Sequence, residues 1–385
     1  MPRPREKVLD LPPPHYGRSS FRERLCRLPS VARQPLRRPL SFSSLRVASA
    51  RGPPKCAVSR PSLQALLAKP LVRVACGLVG AGIVATSVWA TGARAVASGL
   101  GRSAHALPAM VGLEAAILVC NTLSLRALYG ADAGRVSLRQ WVKAGTLGYA
   151  VGSVLPLSRA AAEASRAVLL RQSVGGPHAA VAAVEMQGVA LLANAILSAC
   201  AFGATLAVLG TGGIATLILT NGVLAAILGT SILLVRRSGH PGRILNLLGK
   251  ARGHEFGAAF DAAPGASRRG LLSAVAWESG SRALQVYQCG IALAAVGQPS
   301  GLLRTLVSRG MLLLGGALGD FIPGQLGGTE ATMALAATAL GLGASATALA
   351  LLIHGAQLLL ALACTGLYAV IPRVPPLPSE LEIGS

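Results

Sequence analysis

The chain has 385 residues, of which 52% are hydrophobic and only 13% charged, and its formal net charge is +22. That composition excludes general disorder and an ordinary water-soluble globule. Apolar runs of about 20 residues recur along most of the chain, the length that crosses a bilayer as a helix, so an all-α polytopic membrane protein is predicted.

The first segment, 1–69, carries 15 Lys/Arg against 3 Asp/Glu, is rich in Pro and Ser, and has no long apolar run. It reads as a disordered basic tail that can lie against anionic headgroups. The remainder, 70–371, reads as one transmembrane domain in two halves, about 70–209 and 213–371, followed by a short C-terminal tail, 372–385. With 46 Gly and 4% aromatics, helices in it are expected to approach through small residues.

Six stretches read as spanning helices: about 71–92, 107–129, 179–209, 213–235, 271–297 and 345–371. Two further apolar stretches are interrupted. One, about 139–171, is broken near Pro156; the other, about 304–343, is broken by Pro323-Gly324-Gln325-Leu326-Gly327-Gly328. Pro and Gly at these places end one helix and open another. Non-helical backbone at membrane depth is tolerated only where protein or a wet cavity surrounds it.

Positive charge orients the spans. The segment 236–270 holds Arg236, Arg237, Arg243, Lys250, Arg252, Arg268 and Arg269, and is expected in the cytoplasm. Parity then places 158–177 and 126–143 inside too, with Arg159, Arg166 and Arg171 on one and Arg126, Arg135, Arg139 and Lys143 on the other. Both ends of 139–171 face the cytoplasm, which makes that stretch a re-entrant hairpin with Pro156 near its tip. By the same logic 304–343 is a hairpin entering from outside, and both termini are cytoplasmic. Each half reads span, span, broken hairpin, span, in opposite orientations. Pro156 precedes Glu163 by the same interval that separates Pro323 from Glu330. This is the pattern of an inverted repeat, which in transporters places a site between two broken elements near the midplane.

Ionisable residues in or beside spans are functional candidates because hydrocarbon does not tolerate them unpaired. Glu278 and Arg282 are four apart on one helix face and read as a structural ion pair. Glu114 shares a span with Asn121 and reads as an interhelical hydrogen-bonding group. Glu163 and Arg166, flanked by Arg159 and Arg171, follow the first hairpin break, and a basic cluster there suits a phosphate headgroup. Asp320 and Glu330 bracket the second break, and Glu330 opens a helix whose N-terminus favours a carboxylate. Glu185 in one half, and His354 with Gln357 in the other, are secondary candidates. Seven cysteines form no CxxC pair, and no Cys/His cluster has metal-ligand spacing. No nucleotide-binding loop, HExxH or recognisable catalytic set occurs, so neither an enzyme nor a cofactor or metal requirement is expected.

Two stretches carry a family resemblance: residues 141–172, and residues 304–355 with Pro323-Gly324-Gln325-Leu326-Gly327-Gly328-Thr329-Glu330 followed by Leu340-Gly341-Leu342. These resemble the flippase-like membrane domain shared by phosphatidylglycerol lysyltransferases and the hopanoid-biosynthesis-associated integral membrane proteins. The first motif departs from the family pattern at Leu157-Ser158-Arg159-Ala160, and Ile353-His354 replaces a basic pair often found in the last span. The resemblance covers roughly residues 70–371 and implies a lipid transporter or flippase of a bacterial cytoplasmic membrane, moving an anionic or polyprenyl- or hopanoid-type lipid. It implies no lysyl transfer, since the chain shows no room for the soluble aminoacyl-transfer domain. The expected headgroup site comprises Arg159, Glu163, Arg166, Arg171, Asp320, Pro323, Gly324, Gly327, Gly328 and Glu330. The expected partners are membrane lipids and, beside them, lipid-biosynthesis enzymes, with no nucleic acid. Two alternatives stand beside this: a non-transporting scaffold for lipid-modifying enzymes, and an ion-coupled carrier of a small solute.

Overall fold

A computed structural model describes residues 92–238, 253–322, 325 and 327–372, together with isolated positions between 78 and 89. The basic tail, most of the expected span 71–92, Pro323, Gly324 and residues 373–385 lie outside the described residues. Among the described residues there are eleven α-helices and no strand.

The helices begin and end where local chemistry dictates. α1, Ala93–Ser103, passes through a single 3₁₀ turn, Ala104–Ala106, into α2, Leu107–Tyr129. Ser137 caps α3, Leu138–Val154: its hydroxyl accepts from the Gln140 N–H, and the Gln140 side chain accepts from the Ser137 N–H at 2.9 Å. Leu155 then takes the extended backbone that a following proline favours, with φ −86° and ψ 148°. Leu157 turns left-handed, and α4, Ser158–Val174, starts at the next residue. Gly175, at φ +85°, supplies the turn into α5, Gly176–Leu209, whose Pro177 sits in the first turn where its missing N–H costs nothing. α6, Gly213–Arg237, ends on two arginines, which complement the negative end of the helix.

α7 is Gly253–Ala262 and α8 is Arg268–Ala295, capped by the Ser267 hydroxyl on the Gly270 N–H at 3.1 Å. α9, Leu302–Gly319, α10, Gly328–Ala337, and α11, Ser345–Val370, complete the chain. The expected hairpins are therefore α3–α4 and α9–α10, broken at the two places where proline interrupts the sequence.

Five helical stretches are long and apolar enough to cross a membrane: Ala93–Arg135, Gly176–Leu209, Gly213–Arg237, Leu302–Gly319 and Ser345–Val370. The protein is a multi-pass membrane protein. This set differs in two ways from the sequence expectation. It includes α9, an arm of the second hairpin, and it omits α8, expected as a span over 271–297. α8 carries Glu278, Arg282, Gln285 and Gln288, which lower its hydropathy. All four are buried between helices rather than exposed to lipid.

Side-chain contacts fix which helix ends lie together. At one end of the bundle Gln140 of α3 donates to Ser173 of α4 at 2.8 Å, closing the mouth of the first hairpin. At that same end Tyr129 packs edge-on against Trp141 and beside His178, joining the end of α2 to the starts of α3 and α5. Lys143 donates to the carbonyls of Ile371 and Pro372, so α11 also ends there. At the opposite end Gln298, just after α8, donates to Ser345 at the start of α11, at 3.2 Å. The loops on either side of the second hairpin lie at that end. The two hairpins thus enter from opposite ends, and the two halves of the chain run in opposite senses, as the charge pattern predicts.

The interior is filled by small and aliphatic residues. One apolar cluster centres on Met110, Ile218, Met311, Met333 and Leu349, and a second on Leu125, Leu128, Trp141 and Val189. Close approach is carried by glycine. A Cβ on Gly229 would stand 2.9 Å from the Gly188 carbonyl, and one on Gly328 would stand 2.9 Å from the Gly319 Cα. The first lets α5 and α6 touch backbone to backbone; the second does the same within the second hairpin.

Candidate functional site

The tips of the two hairpins meet. The Leu157 N–H donates to the Asp320 carbonyl at 2.6 Å, and the Ser158 hydroxyl donates to the Asp320 carboxylate at 2.6 Å. The Gln325 amide donates to Ser158 at 2.9 Å and to Asp320 at 3.3 Å. Leu157 and Gln325, with φ of 55° and 56°, are the only non-glycine residues with positive φ among the described residues. One stands on each tip. A left-handed backbone at a residue with a Cβ costs roughly 1–2 kcal/mol, and such strain persists where surrounding contacts hold it in place.

Around this junction lies a cavity of about 470 Å³, built from α2, α3, α4, α5, α8, α9, α10 and α11. That volume is typical of a ligand site. Its charged and polar wall includes Arg159, Glu163 and Arg166 from the first hairpin, Asp320, Gln325 and Thr329 from the second, and His354 with Gln357 from α11. Residues from both hairpins therefore face one cavity.

Within the wall, Arg166 donates to Glu163 at 2.6 Å. Gly148 makes room for this arginine, because a Cβ there would collide with the Arg166 side chain. Glu278 and Arg282 form the expected pair at 2.7 Å, yet both also line the cavity. With its amide turned to donate, Asn121 reaches the second Glu278 oxygen at 3.0 Å. Glu114 accepts from Gln288 at 3.1 Å and from the Tyr149 hydroxyl at 3.1 Å. Glu114 thus bonds across helices, to α8 and α3.

Five candidates lie off the cavity wall: Glu330, Gly327, Gly328, Arg171 and Glu185. Glu330 is fully buried behind the wall. Its carboxylate accepts from the Gly327 N–H at 2.8 Å, from Thr329 at 3.0 Å and from His354 Nδ1 at 2.7 Å. Gly327, at φ +90°, has no side chain, so the carboxylate of Glu330 alone holds this helix start. Thr329 and His354 stand between Glu330 and the cavity. Arg171 is exposed and does not join Arg159 and Arg166. Glu185 belongs to a separate recess at the basic end, where its carboxylate accepts from the Ala266 N–H at 3.0 Å while Arg236 donates to the Ala263 carbonyl. These two contacts pin the loop that precedes α8. Gly328 packs against α9 and does not line the cavity.

Arg309 and Gln285 also line the cavity, and sequence reasoning did not single them out. Arg309 is buried and donates to Gln285 at 2.6 Å, and Arg282 donates to the same Gln285 oxygen at 3.0 Å. The available signal was a lone arginine inside an apolar stretch, which is as costly in hydrocarbon as the acidic residues that drew attention.

The sequence matches the family described as Lysylphosphatidylglycerol synthase TM region over residues 72–364. The chain belongs to that family. No curated protein and no solved structure matches it. The family assignment makes it an integral membrane protein related to lipid handling, and the matched region takes in both hairpins and the whole cavity wall.

Proposed function

We propose that this protein moves a lipid with an anionic headgroup across a bacterial cytoplasmic membrane, with both termini in the cytoplasm, and that it acts as a carrier rather than an enzyme. The observation that carries the reading is the meeting of two opposed hairpin tips at a polar cavity. A headgroup admitted there would stand between elements reached from the two faces of the membrane, while the acyl tails stay in lipid. The wall supplies Arg159, Arg166, Arg282 and Arg309, and arginine is the side chain best suited to hold a phosphate in a dry site. Separation of the tips at Asp320, Ser158 and Gln325 would open the path to either side. The hydrogen bonds there are few, so a ligand could offset their loss.

The test is lipid movement in proteoliposomes. The purified chain is reconstituted with headgroup-labelled phosphatidylglycerol, and separately with a labelled neutral lipid, before a membrane-impermeant quencher is added. Quenching of phosphatidylglycerol beyond one leaflet, slowed by Arg166→Gln, supports transport. Quenching that stops at one leaflet for both lipids, with folded protein and with or without an ion gradient, contradicts transport and favours the scaffold alternative.

A further inference from the structure

Arg282 on α8 and Arg309 on α9 both donate to a single atom, the Gln285 side-chain oxygen, at 3.0 and 2.6 Å. Two guanidinium groups are thereby drawn together at one point of the cavity wall. An amide oxygen carries no charge, so it brings the two cations close without neutralising either.

Two of the nearby carboxylates are fully committed, while Glu163 spends one oxygen on Arg166 and leaves Oε2 without a partner. Glu278 is taken by Arg282 and Asn121, and Glu114 by Gln288 and Tyr149. Arg309 forms no ion pair among the described residues, although only 9% of it is exposed. The Nε atoms of both Arg282 and Arg309 are buried and have no hydrogen-bond partner. Arg159 reaches toward the same region from the first hairpin: it acts electrostatically on Arg282, and its Nη1 is also buried without a partner. Buried guanidinium donors are ordinarily satisfied, and a buried unpaired charge is costly. Such a convergence has room for one complement, a compact group with several oxygens and a negative charge. Paired arginines match a tetrahedral oxyanion through parallel N–H···O bonds.

We infer that Arg282, Gln285 and Arg309 form a seat for a phosphate oxyanion, the group that a phospholipid headgroup and a free phosphate share. The seat lies in the second half of the chain, on the cavity wall that Arg159 also lines from the first hairpin. It assigns Arg282 a binding role beyond its pairing with Glu278. The inference deepens the transport reading and rests on it for the lipid, but the seat can be tested without transport.

The full chain in detergent is titrated with sodium phosphate and with glycerol 3-phosphate, against sodium chloride at equal ionic strength, with thermal unfolding as the readout. In nanodiscs of neutral lipid, retention of added phosphatidylglycerol is compared with retention of oleate by native mass spectrometry. Phosphate-bearing ligands are expected to raise the unfolding midpoint or be retained, with affinity falling at least tenfold in Arg309→Gln and in Gln285→Glu. The second variant places a carboxylate between the two cations, so it fills the seat while keeping their partners and is expected to fold at least as well as the parent. Arg94→Gln, on the exposed face of α1, is expected to bind as the parent does.

Retention of phosphatidylglycerol with no response to free phosphate supports the seat and names a lipid as its source. A response to both supports the seat and names the phosphate itself. Folded Arg309→Gln and Gln285→Glu proteins that bind with parental affinity overturn it, as does a phosphate response no greater than that to chloride together with no preference for phosphatidylglycerol over oleate. The two proposals fail separately. Lipid crossing in Gln285→Glu at the parental rate removes the seat and leaves transport. A seat that binds phosphatidylglycerol in a protein that moves no lipid does the reverse.

Discussion

Asp320 holds the first hairpin twice: its backbone carbonyl accepts from the Leu157 N–H at 2.6 Å, and its carboxylate accepts from the Ser158 hydroxyl at 2.6 Å. The two residues are 162 positions apart in the chain, so this contact ties its two halves together at their most irregular backbone. Asp320→Ala removes the side-chain acceptor and leaves the backbone bond. A loss of about 1–3 kcal/mol is expected from an unmade, charge-assisted hydrogen bond. Denaturation in detergent reads it, and Ser158→Ala should cost less, because Gln325 still reaches Asp320.

Gly148 is expected to be intolerant of any side chain. A Cβ there would meet the Cγ of Arg166 at 2.8 Å and its Cδ at 3.0 Å, forcing that arginine away from Glu163. Overpacking of this kind costs about 1–3 kcal/mol. Gly112→Ala, in α2 with nothing within 4 Å of the new methyl, is the matched control. It should be neutral or stabilising, because alanine favours helix over glycine. Unfolding midpoints of the two variants make the comparison.

Glu330 and His354 act as a unit, with the carboxylate and ring 2.7 Å apart and Glu330 fully buried. Glu330→Ala strands the Gly327 N–H and the imidazole, and is expected to cost about 2–5 kcal/mol. In a double-mutant cycle with Glu330→Gln and His354→Gln, the two losses should fall short of additivity by about 1–3 kcal/mol. Additive losses would mean that the two side chains do not depend on each other.

Glu185 anchors the loop before α8 through the Ala266 N–H. Glu185→Gln can still accept one hydrogen bond, whereas Glu185→Ala accepts none. Amide exchange at Ala266 is therefore expected to rise at least tenfold in the alanine variant and much less in the glutamine variant, a tenfold rise being about 1.4 kcal/mol of local opening. Unchanged exchange at Ala266 would show that Arg236 alone holds the loop.

Much of this architecture is legible in the sequence because the signals are local. Pro156 and the Pro323–Gly328 run mark the two breaks, and arginine placement fixes the parity that makes each stretch a hairpin. α2 spans Leu107–Tyr129, matching its apolar run to the residue. The site is legible only in part. Residues next to the breaks, such as Arg159, Glu163 and Asp320, reach the cavity because hairpin tips converge by topology. Arg309 and Gln285 escape notice because their importance comes from α8 lying beside α9, a tertiary contact with no periodic signature. The interval from proline to glutamate is the same in both hairpins, yet it leads to different environments. Glu163 lines the cavity with Arg166, while Glu330 turns inward to close its own helix start. Equal spacing aligned the backbone and did not fix the side chain's partners.

The most direct test is to lock the two tips together. In a chain whose seven native cysteines are replaced, Ser158→Cys and Gln325→Cys place one thiol on each tip, where the longer native side chains now meet at 2.9 Å. A short, reducible bis-methanethiosulfonate, which spans the reach lost when cysteine replaces Gln325, should join them. Lipid movement in proteoliposomes should then fall to the protein-free rate and return on reduction, while each single-cysteine variant stays unaffected by the crosslinker. Full crosslinking with lipid movement undiminished would contradict the account, because the headgroup would then cross by a path that never parts the hairpins.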